Sequence, residues 1–143
     1  MKPTPRGWPR LSSALRYQNA AAMIKFLCDA FGFEVRITVP GDAGEIIHSE
    51  LSYGEALVMV SSEKTNSGVA GVSPKSVNGA NTQSLMMFVD DVDAHAAHAR
   101  ANGATVVDEP ADHDYGPEYW TDRSYGVLDP EGHLWWFTER LRG

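Results

Sequence analysis

Two adjacent tryptophans near the C-terminus, Trp135 and Trp136, have the clearest potential for binding chemistry. They follow the turn-forming sequence DPEG at residues 129–132 and lie in an apolar run that is typical of a β-strand. Successive strand side chains point to opposite faces, so only one of the two indoles enters a given core. Burial of an indole removes about 150–250 Å² from water, roughly 4–6 kcal/mol at about 25 cal/mol per Å². We therefore expect the indole that leaves the core to stack on a ligand or, alternatively, to fill a collapsed cavity or a subunit interface.

The segment 108–123 is a second place where the residue types suit binding, because it mixes carboxylates with aromatic rings. The acidic members are Asp112, Asp114, Glu118 and Asp122, and the aromatic members are Tyr115, Tyr119 and Trp120. Such a mixture would attract a cationic aromatic ligand by charge and stacking. The alternative is an ordinary solvated acidic loop. Arg123 either pairs with one of these carboxylates or reaches a binding cleft.

The histidines offer little evidence of a metal site. His95 and His98 have a helical i, i+3 spacing that would allow a shared metal, but no third ligand is evident. The outer face of that helix is predicted to be solvated. His48 and Glu50 alternate onto one face of a strand, and a relocated site would combine them with residues of the C-terminal region. Those further residues are His113, His133 and Glu139, although His133 is predicted to be a structural residue of the hairpin.

Composition excludes several classes of protein. The chain has 143 residues, 43% hydrophobic content and a formal net charge of −7, which disfavours nucleic acid and anionic membranes as partners. No apolar leader or membrane-length apolar run is present, so we expect a soluble, cytoplasmic protein. The single cysteine, Cys28, excludes an internal disulfide and is predicted to be an inert thiol in a helix. The glycines of 68–79 lack the lysine that a phosphate-binding loop requires.

The elements that would position these residues occur in two similar halves. The first half predicts a strand at 11–18, a helix at 20–31 and strands at 33–39, 45–52 and 56–62. The second half predicts a strand at 84–89, a helix at 92–102 and strands at 105–107, 123–128 and 133–139, with a loop over 108–122. A shift of about 71 positions places Asn19 on Asp90 and Gly32 on Gly103, the residues that begin and end the two helices. Each half therefore predicts the order βαβββ.

This periodicity predicts four segments. Residues 1–10 form an N-terminal arm that we expect to contact a partner subunit, and 11–63 form the first βαβββ module. Residues 64–83 are rich in Gly, Ser, Asn and Thr and are predicted to be a linker, with a role in a binding site as the alternative. Residues 84–143 form the second module.

Three runs carry a resemblance to a known family: 19-NAAAMIKFLCDAFGFEV-35, 88-FVDDVDAHAAHARANGATVV-107 and 124-SYGVLDPEGHLWWF-137. They resemble the vicinal oxygen chelate superfamily, which groups glyoxalases, bleomycin-resistance proteins and extradiol dioxygenases, and within it the PhnB-like or bleomycin-resistance-like members. The resemblance implies an α+β fold in which two βαβββ modules form a curved mixed sheet around a cleft, completed by a homodimer. Catalytic members hold a divalent metal in that cleft.

The metal-ligand positions implied by the resemblance hold unusual residues in this chain. They fall at Ser12, Met59, Ser84 and Trp136, and the neighbours Ser13, Val58, Leu85 and Trp135 are no better donors. A catalytic divalent ion needs about three nitrogen, carboxylate or thiolate donors. We therefore expect neither the usual metal nor any other cofactor.

The resemblance and the strand alternation together predict an apolar, aromatic binding cleft. Its predicted lining residues are Ser12, Met59, Ser84, Met86, Phe88, Trp120, Arg123, Leu134, Trp136 and Thr138. The predicted function is binding of a small aromatic or cationic molecule, as in drug sequestration or resistance. The first alternative is a metal-dependent lyase, isomerase or dioxygenase that uses displaced ligands at His48, Glu50, His113 and Glu139. The second is a non-catalytic structural or regulatory dimer.

Overall fold

The chain folds into two four-stranded sheets, each built from one half of the sequence. The computed structural model describes residues 1–64 and 71–143. The first half contains β1 (Ser13–Tyr17), α1 (Ala20–Phe31), β2 (Glu34–Pro40), β3 (Ile46–Tyr53) and β4 (Ala56–Ser62). The second half contains β5 (Leu85–Phe88), α2 (Val92–Ala101), β6 (Thr105–Asp114), β7 (Thr121–Leu128) and β8 (Leu134–Arg142).

Both sheets have the same topology. The strand order is β1-β4-β3-β2 in the first sheet and β5-β8-β7-β6 in the second. In each sheet the first strand of the half pairs in parallel with the last strand, and the other pairings are antiparallel. The predicted α+β fold of two βαβββ modules is confirmed.

Local capping explains the bounds of both helices. The Asn19 side chain accepts a hydrogen bond from the Ala22 amide (3.1 Å) before α1, and Asp91 does the same for the Ala94 amide (2.9 Å) before α2. Such caps satisfy backbone donors that have no partner within the helix. Gly32, which ends α1, has a φ of 89°, a left-handed conformation in which glycine carries no steric penalty.

The prediction of a loop over 108–122 is wrong for residues 108–114, which form part of a strand. Strand β6 continues to Asp114, and β6 and β7 form a long hairpin whose tip is 115–120. Two register shifts, before and after Asp108, accommodate Pro110 within this strand. Because β6 lies at the edge of its sheet, its polar and acidic side chains remain in solvent.

The two halves share one core, formed by the helix-bearing faces of both sheets. Phe31, at the end of α1, contacts Trp135 and Phe137 of β8 with ring centroids 5.4 and 4.9 Å apart. Trp135, Phe137 and Tyr125 are all fully buried. The opposite face of each sheet stays open, with Ile37 exposed on the first and Met86 on the second.

Helix α2 contacts α1, so the prediction of a solvated outer face for His95 is wrong. His95 Nε2 donates to the Phe31 carbonyl (3.0 Å), while Nδ1 accepts from the Tyr125 hydroxyl (2.7 Å). Burial lowers the pKa of His95. His98 Nε2 donates to the Asp29 carbonyl (2.6 Å). Both imidazoles thus satisfy carbonyls in the last turn of α1.

The DPEG turn joins the second half to the first through a buried carboxylate. Asp129 Oδ2 accepts from the Tyr17 hydroxyl (2.6 Å) and from the Trp135 indole N–H (3.1 Å). Its Oδ1 accepts from the backbone amides of Glu131 and His133, both at 3.1 Å. Burial, followed by the charge of Asp129, raises the pKa of the Tyr17 hydroxyl well above its ordinary value.

Glu131 of the same turn binds the connection between β1 and α1. Its carboxylate accepts from the amides of Gln18 (2.6 Å) and Asn19 (2.9 Å) and from the Ser73 hydroxyl (2.6 Å). Residues 65–70 of the predicted linker lie outside the described residues, and the part that follows contains a 3₁₀ helix, Pro74–Val77. The turn therefore contacts both the first module and, at Ser73, the predicted linker.

The N-terminal arm lies against the first sheet of its own chain. The Arg36 guanidinium donates to the Gly7 carbonyl (2.6 Å) and lies 5.7 Å from the centre of the Trp8 ring. Within the described part of the chain, no helix is long and apolar enough to cross a membrane.

Candidate ligand-binding site

The open face of the second sheet carries the candidate site. Alternation along β8 sends Trp135 and Phe137 into the core, where both are fully buried, and leaves Trp136 half-buried on the opposite face. A cavity of about 320 Å³ lies above this face. The residues that line this cavity, here called the sheet-two pocket, are Met86, Asp108, His113, Tyr115, Asp122, Ser124, Trp136 and Thr138.

Gly126 lets the Trp136 indole approach strand β7 closely. The two residues are direct partners in the register of β7 and β8. A Cβ atom at Gly126 would lie 2.9 Å from two carbons of the indole and 3.3 Å from the Cβ of Asp108, so a larger residue would force the indole to move. The glycine therefore allows the ring and the Asp108 side chain to approach the same point of the sheet.

The pocket is acidic. Asp108 has no ion pair with any of the described residues, whereas the carboxylate of Asp122 pairs with Arg140. The Arg140 guanidinium is in turn held between the rings of Phe88 (5.3 Å) and Trp120 (4.9 Å). Asp108 therefore contributes a negative charge that the surrounding described residues leave unneutralised.

The hairpin tip 115–120 presents Tyr115 to the pocket from a fixed position. The Tyr115 amide donates to the Trp120 carbonyl (3.0 Å), which closes the tip. Asp114 Oδ1 accepts from the Gly116 amide (2.9 Å) and from Arg142 Nη2 (3.0 Å). These contacts lower the pKa of Asp114, the backbone hydrogen bond from Gly116 having the largest effect.

Comparison with known proteins identifies the family of this architecture. Residues 11–137 match the model of the Glyoxalase/Bleomycin resistance protein/Dioxygenase superfamily. The chain belongs to this superfamily. The resemblance inferred from the sequence, to the group also called the vicinal oxygen chelate superfamily, is confirmed.

Individual proteins also resemble this chain over nearly its whole length. An uncharacterised Mycobacterium bovis protein, Mb0911c, is 33% identical over 135 residues, which span 94% of this chain and 85% of the relative. TioX from Micromonospora sp. ML1 is 30% identical, with a TM-score of 0.67 over 92% of this chain and 95% of TioX. TnmS3, an antibiotic binding protein from Streptomyces sp. CB03234, is 18% identical, with a TM-score of 0.64 over 90% of this chain and 93% of TnmS3. At 18% identity, the similarity to TnmS3 establishes only that the two proteins share a fold.

The structure divides the predicted cleft residues between separate places. Ser12, Ser84 and Met86 line a different cavity of about 500 Å³ between the edge strands β1 and β5. Met86 also lines the sheet-two pocket, together with Trp136 and Thr138. The remaining predicted residues on open faces line neither of these two cavities. Phe88 and Trp120 contact Arg140, Leu134 pairs with Leu128, and Met59 lies opposite Glu50 on the first sheet.

Arg123 lies on the other face of the second sheet. Its Nη2 and Nε donate to the two carboxylate oxygens of Asp93 on α2 (2.9 and 3.0 Å), and its Nη1 donates to Asp112 on β6 (2.8 Å). These hydrogen bonds, first the one to Asp93, raise the already high pKa of Arg123. The structure thus separates Arg123 from the pocket and makes it a link between α2 and the hairpin.

The residues at the positions that the family resemblance implies for a metal do not fit a divalent ion. Ser12 offers a neutral hydroxyl, which is buried and has no hydrogen-bond partner among the described residues. Met59, Ser84 and Trp136 supply a thioether, a second hydroxyl and an indole. None of these groups is a usual ligand of a catalytic zinc, iron or manganese ion. No catalytic step through such an ion follows from this donor set.

The alternative ligands do not converge within the chain. His48 Nε2 lies 3.1 Å from Glu50 Oε1 on the open face of the first sheet, where Arg36 also pairs with Glu50 at 3.6 Å. His113 lines the sheet-two pocket. Glu139 accepts from the Val92 amide (3.0 Å) at the beginning of α2. Residues 1–64 and 71–143 contain no group of three His, Cys, Asp or Glu that could hold a metal.

Sequence reasoning missed part of the pocket. Asp108, Ser124 and Gly126 were not predicted as site residues because 108–122 was interpreted as a loop, which conceals the pairing of Asp108 with Gly126. The available signal was weak: Val106 and Val107 lead directly into the acidic stretch, and nothing local shows that the strand continues.

Burial raises the pKa of the Cys28 thiol, which disfavours the reactive thiolate.

Proposed function

We propose that this chain is a binding protein that sequesters a small aromatic cation in the sheet-two pocket, without chemical conversion. The observation that carries the proposal is the pocket itself, in which the Trp136 indole over Gly126 and the acidic side chain of Asp108 line one cavity. The shared fold of TnmS3, an antibiotic binding protein, supports a role in binding small molecules.

The shape and charge of the pocket favour a planar ligand with a positive group. A volume of about 320 Å³ is at the lower end of small-molecule sites, which run from about 300 to 1,000 Å³. The Trp136 ring supplies a stacking surface, and the Met86 thioether adds a polarizable wall. Asp108 would neutralise a ligand ammonium, a preference that the chain's net charge of −7 reinforces.

Calorimetric titration with two acridines of opposite charge tests this proposal. We expect proflavine, a cationic acridine, to bind and acridine carboxylate not to bind, because only the first complements Asp108. Trp136→Ala should weaken proflavine binding about 10–100-fold, since aromatic stacking is worth about 1–3 kcal/mol. Asp108→Asn should weaken it about 3–10-fold and reduce its dependence on salt.

The control for charge is Asp42→Asn, which makes the same change at an exposed turn in the first half. It should leave proflavine binding unchanged. Equal binding of both acridines, or unchanged binding by Trp136→Ala, would contradict the proposed site. Proflavine that is consumed during the titration would contradict sequestration without conversion.

We also infer that the binding form is a homodimer. Large apolar side chains are exposed before β1 and on β5, including Leu11 (87% exposed), Met86 (53%) and Phe88 (52%). Leu11 and Met86 line the same cavity of about 500 Å³, and Met86 and Phe88 lie on the same face of β5. Exposed apolar patches on soluble proteins often mark interaction surfaces. A second copy that covers these faces would also exclude water from the sheet-two pocket.

Sedimentation velocity tests the homodimer. We expect a mass of twice the 15.6 kDa of the chain. Phe88→Glu should shift the equilibrium toward monomer, because a charge would be buried at the contact. Val107→Glu is the matched control, since Val107 is equally exposed (53%) but lies on the edge strand β6. A mass of one chain at all concentrations would exclude the dimer.

A further inference from the structure

A third cavity lies away from the sheet-two pocket, between strand β1, the linker and the turn before β8. Its volume is about 480 Å³, and we call it the linker cavity. Its lining includes the cationic Arg16 and the imidazole of His133, together with four apolar side chains: Val72, Pro74, Val77 and Ala80. The superfamily's metal positions and the sheet-two pocket contribute none of the residues that line it.

Arg16 is a half-buried cation in this cavity that has no carboxylate partner among the described residues. Its Nη1 donates to the Ser61 hydroxyl and, at 3.4 Å, to the Ser62 carbonyl. Arg123, the other half-buried arginine of the described chain, pairs with two aspartates. A partly desolvated guanidinium is costly unless a counter-charge or a ligand satisfies it.

The backbone of the linker fixes the direction of Arg16. A Cβ atom at Gly71 would lie 2.5 Å from Cγ and 3.0 Å from Nε of Arg16. The Gly71 backbone therefore packs directly against the aliphatic part of the Arg16 side chain. The Lys64 amide donates to the Gly71 carbonyl (3.1 Å), which ties this backbone to the end of β4. The guanidinium is therefore held in place before any ligand arrives, which reduces the entropy lost on binding.

Among the described residues that line the linker cavity, none has an acidic side chain. The two nearby glutamates are already engaged elsewhere. Glu63 accepts from the Ser73 amide (3.0 Å) and the Ser76 hydroxyl (2.7 Å), and Glu131 accepts from Ser73 and the start of α1. In a chain with 19 acidic and 12 basic residues, this is a positive site beside an acidic protein surface. The sheet-two pocket, by contrast, contains Asp108 and Asp122.

We propose that the linker cavity binds a small organic carboxylate with an apolar body. A guanidinium donates to a carboxylate through a planar fork, and Nε and Nη2 of Arg16 have no acceptor among the described residues. Val72, Pro74 and Val77 provide an apolar wall for the rest of the ligand. His133 Nε2 is occupied by the Arg16 carbonyl (2.9 Å), so Arg16 carries the recognition. This site is independent of the proposed aromatic-cation site.

Amide chemical-shift perturbation by NMR on the full chain tests the inference, with naphthoate and naphthylmethylammonium as matched probes. We expect naphthoate to shift the amides of Ala14, Val72 and Ala80, and naphthylmethylammonium to leave them unchanged. Arg16→Gln should lower naphthoate affinity at least about tenfold, because it removes the charge and the fork. Arg16→Lys should give an intermediate affinity, because it keeps the charge but loses the fork.

Two further variants protect the test from a folding defect and from confusion with the other pocket. Ala80→Phe places a bulky ring in the cavity while Arg16 is kept, and it should abolish naphthoate binding, whereas Trp136→Ala should leave binding unchanged. Inorganic phosphate at the same concentration should bind more weakly, since it lacks an apolar body. Three results would each overturn the proposal: amide chemical-shift changes by naphthoate that centre on Trp136, a naphthoate affinity of Arg16→Gln equal to that of the parent protein, or no saturable chemical-shift change at all.

Discussion

Replacing Asp129 by alanine is expected to lower the free energy of unfolding by about 4 kcal/mol or more. The substitution leaves the Tyr17 hydroxyl and the Trp135 indole N–H without an acceptor, and both residues are fully buried. Each stranded buried donor costs about 1–3 kcal/mol, and two backbone amides of the turn lose their acceptor as well. The loss falls at the junction of the two halves.

Urea denaturation followed by circular dichroism measures this change. Asp42→Ala serves as the matched control, because Asp42 is exposed in the turn between β2 and β3, and it should stay within about 0.5 kcal/mol of the parent. Asp129→Asn should fall between the two, since its amide keeps one oxygen acceptor. A loss below about 1 kcal/mol for Asp129→Ala would show that the buried carboxylate does not join the halves.

Substitutions of the two adjacent tryptophans are expected to differ in effect: one should lower stability and the other should lower ligand affinity. Trp135→Ala should cost about 3–5 kcal/mol, because it opens a cavity in a core where Trp135 contacts Phe31 and Phe33 and is fully buried. Trp136→Ala should cost less than about 1.5 kcal/mol, because its indole lies half-buried on the open face. Only the second substitution should abolish stacking of an aromatic ligand.

Urea denaturation of both variants, beside the acridine titrations, measures this difference. Trp136→Phe provides a conservative control that retains a stacking surface and should bind proflavine with a smaller loss than Trp136→Ala. If Trp136→Ala proved as destabilising as Trp135→Ala, the indole would be filling a structural cavity. That result would favour the interpretation in which the open face is packed by the protein's own side chains.

The two proposed sites would give one small chain two ligand chemistries. The sheet-two pocket pairs an aromatic surface with an unneutralised carboxylate, and the linker cavity pairs an apolar wall with an unneutralised guanidinium. They share no lining residue, so each can be removed without altering the other. The positions that the family resemblance implies for metal ligands, Ser12, Met59, Ser84 and Trp136, carry neutral side chains. Both proposals are therefore proposals of recognition.

The sequence by itself determined the helices, the order of the elements and the opposed faces of the two tryptophans. Asn19 and Gly32 mark the beginning and the end of α1. Both signals are local, because side-chain capping and the left-handed conformation of glycine depend on residues within one turn of the helix. The repeat at about 71 positions reflects two modules of equal strand order. The alternation of Trp135 and Trp136 follows from strand geometry alone.

The tertiary structure decided everything that depends on contacts between distant residues. The register of β6 on β7 places Asp108 beside Gly126 and the Trp136 ring, and two register shifts within β6 leave no local signature in the sequence. The approach of α2 to α1 places His95 against Phe31, and the same packing directs Arg123 to Asp93. Local propensity and periodicity report only near neighbours along the chain, whereas these side chains are positioned by packing and strand register across the whole domain.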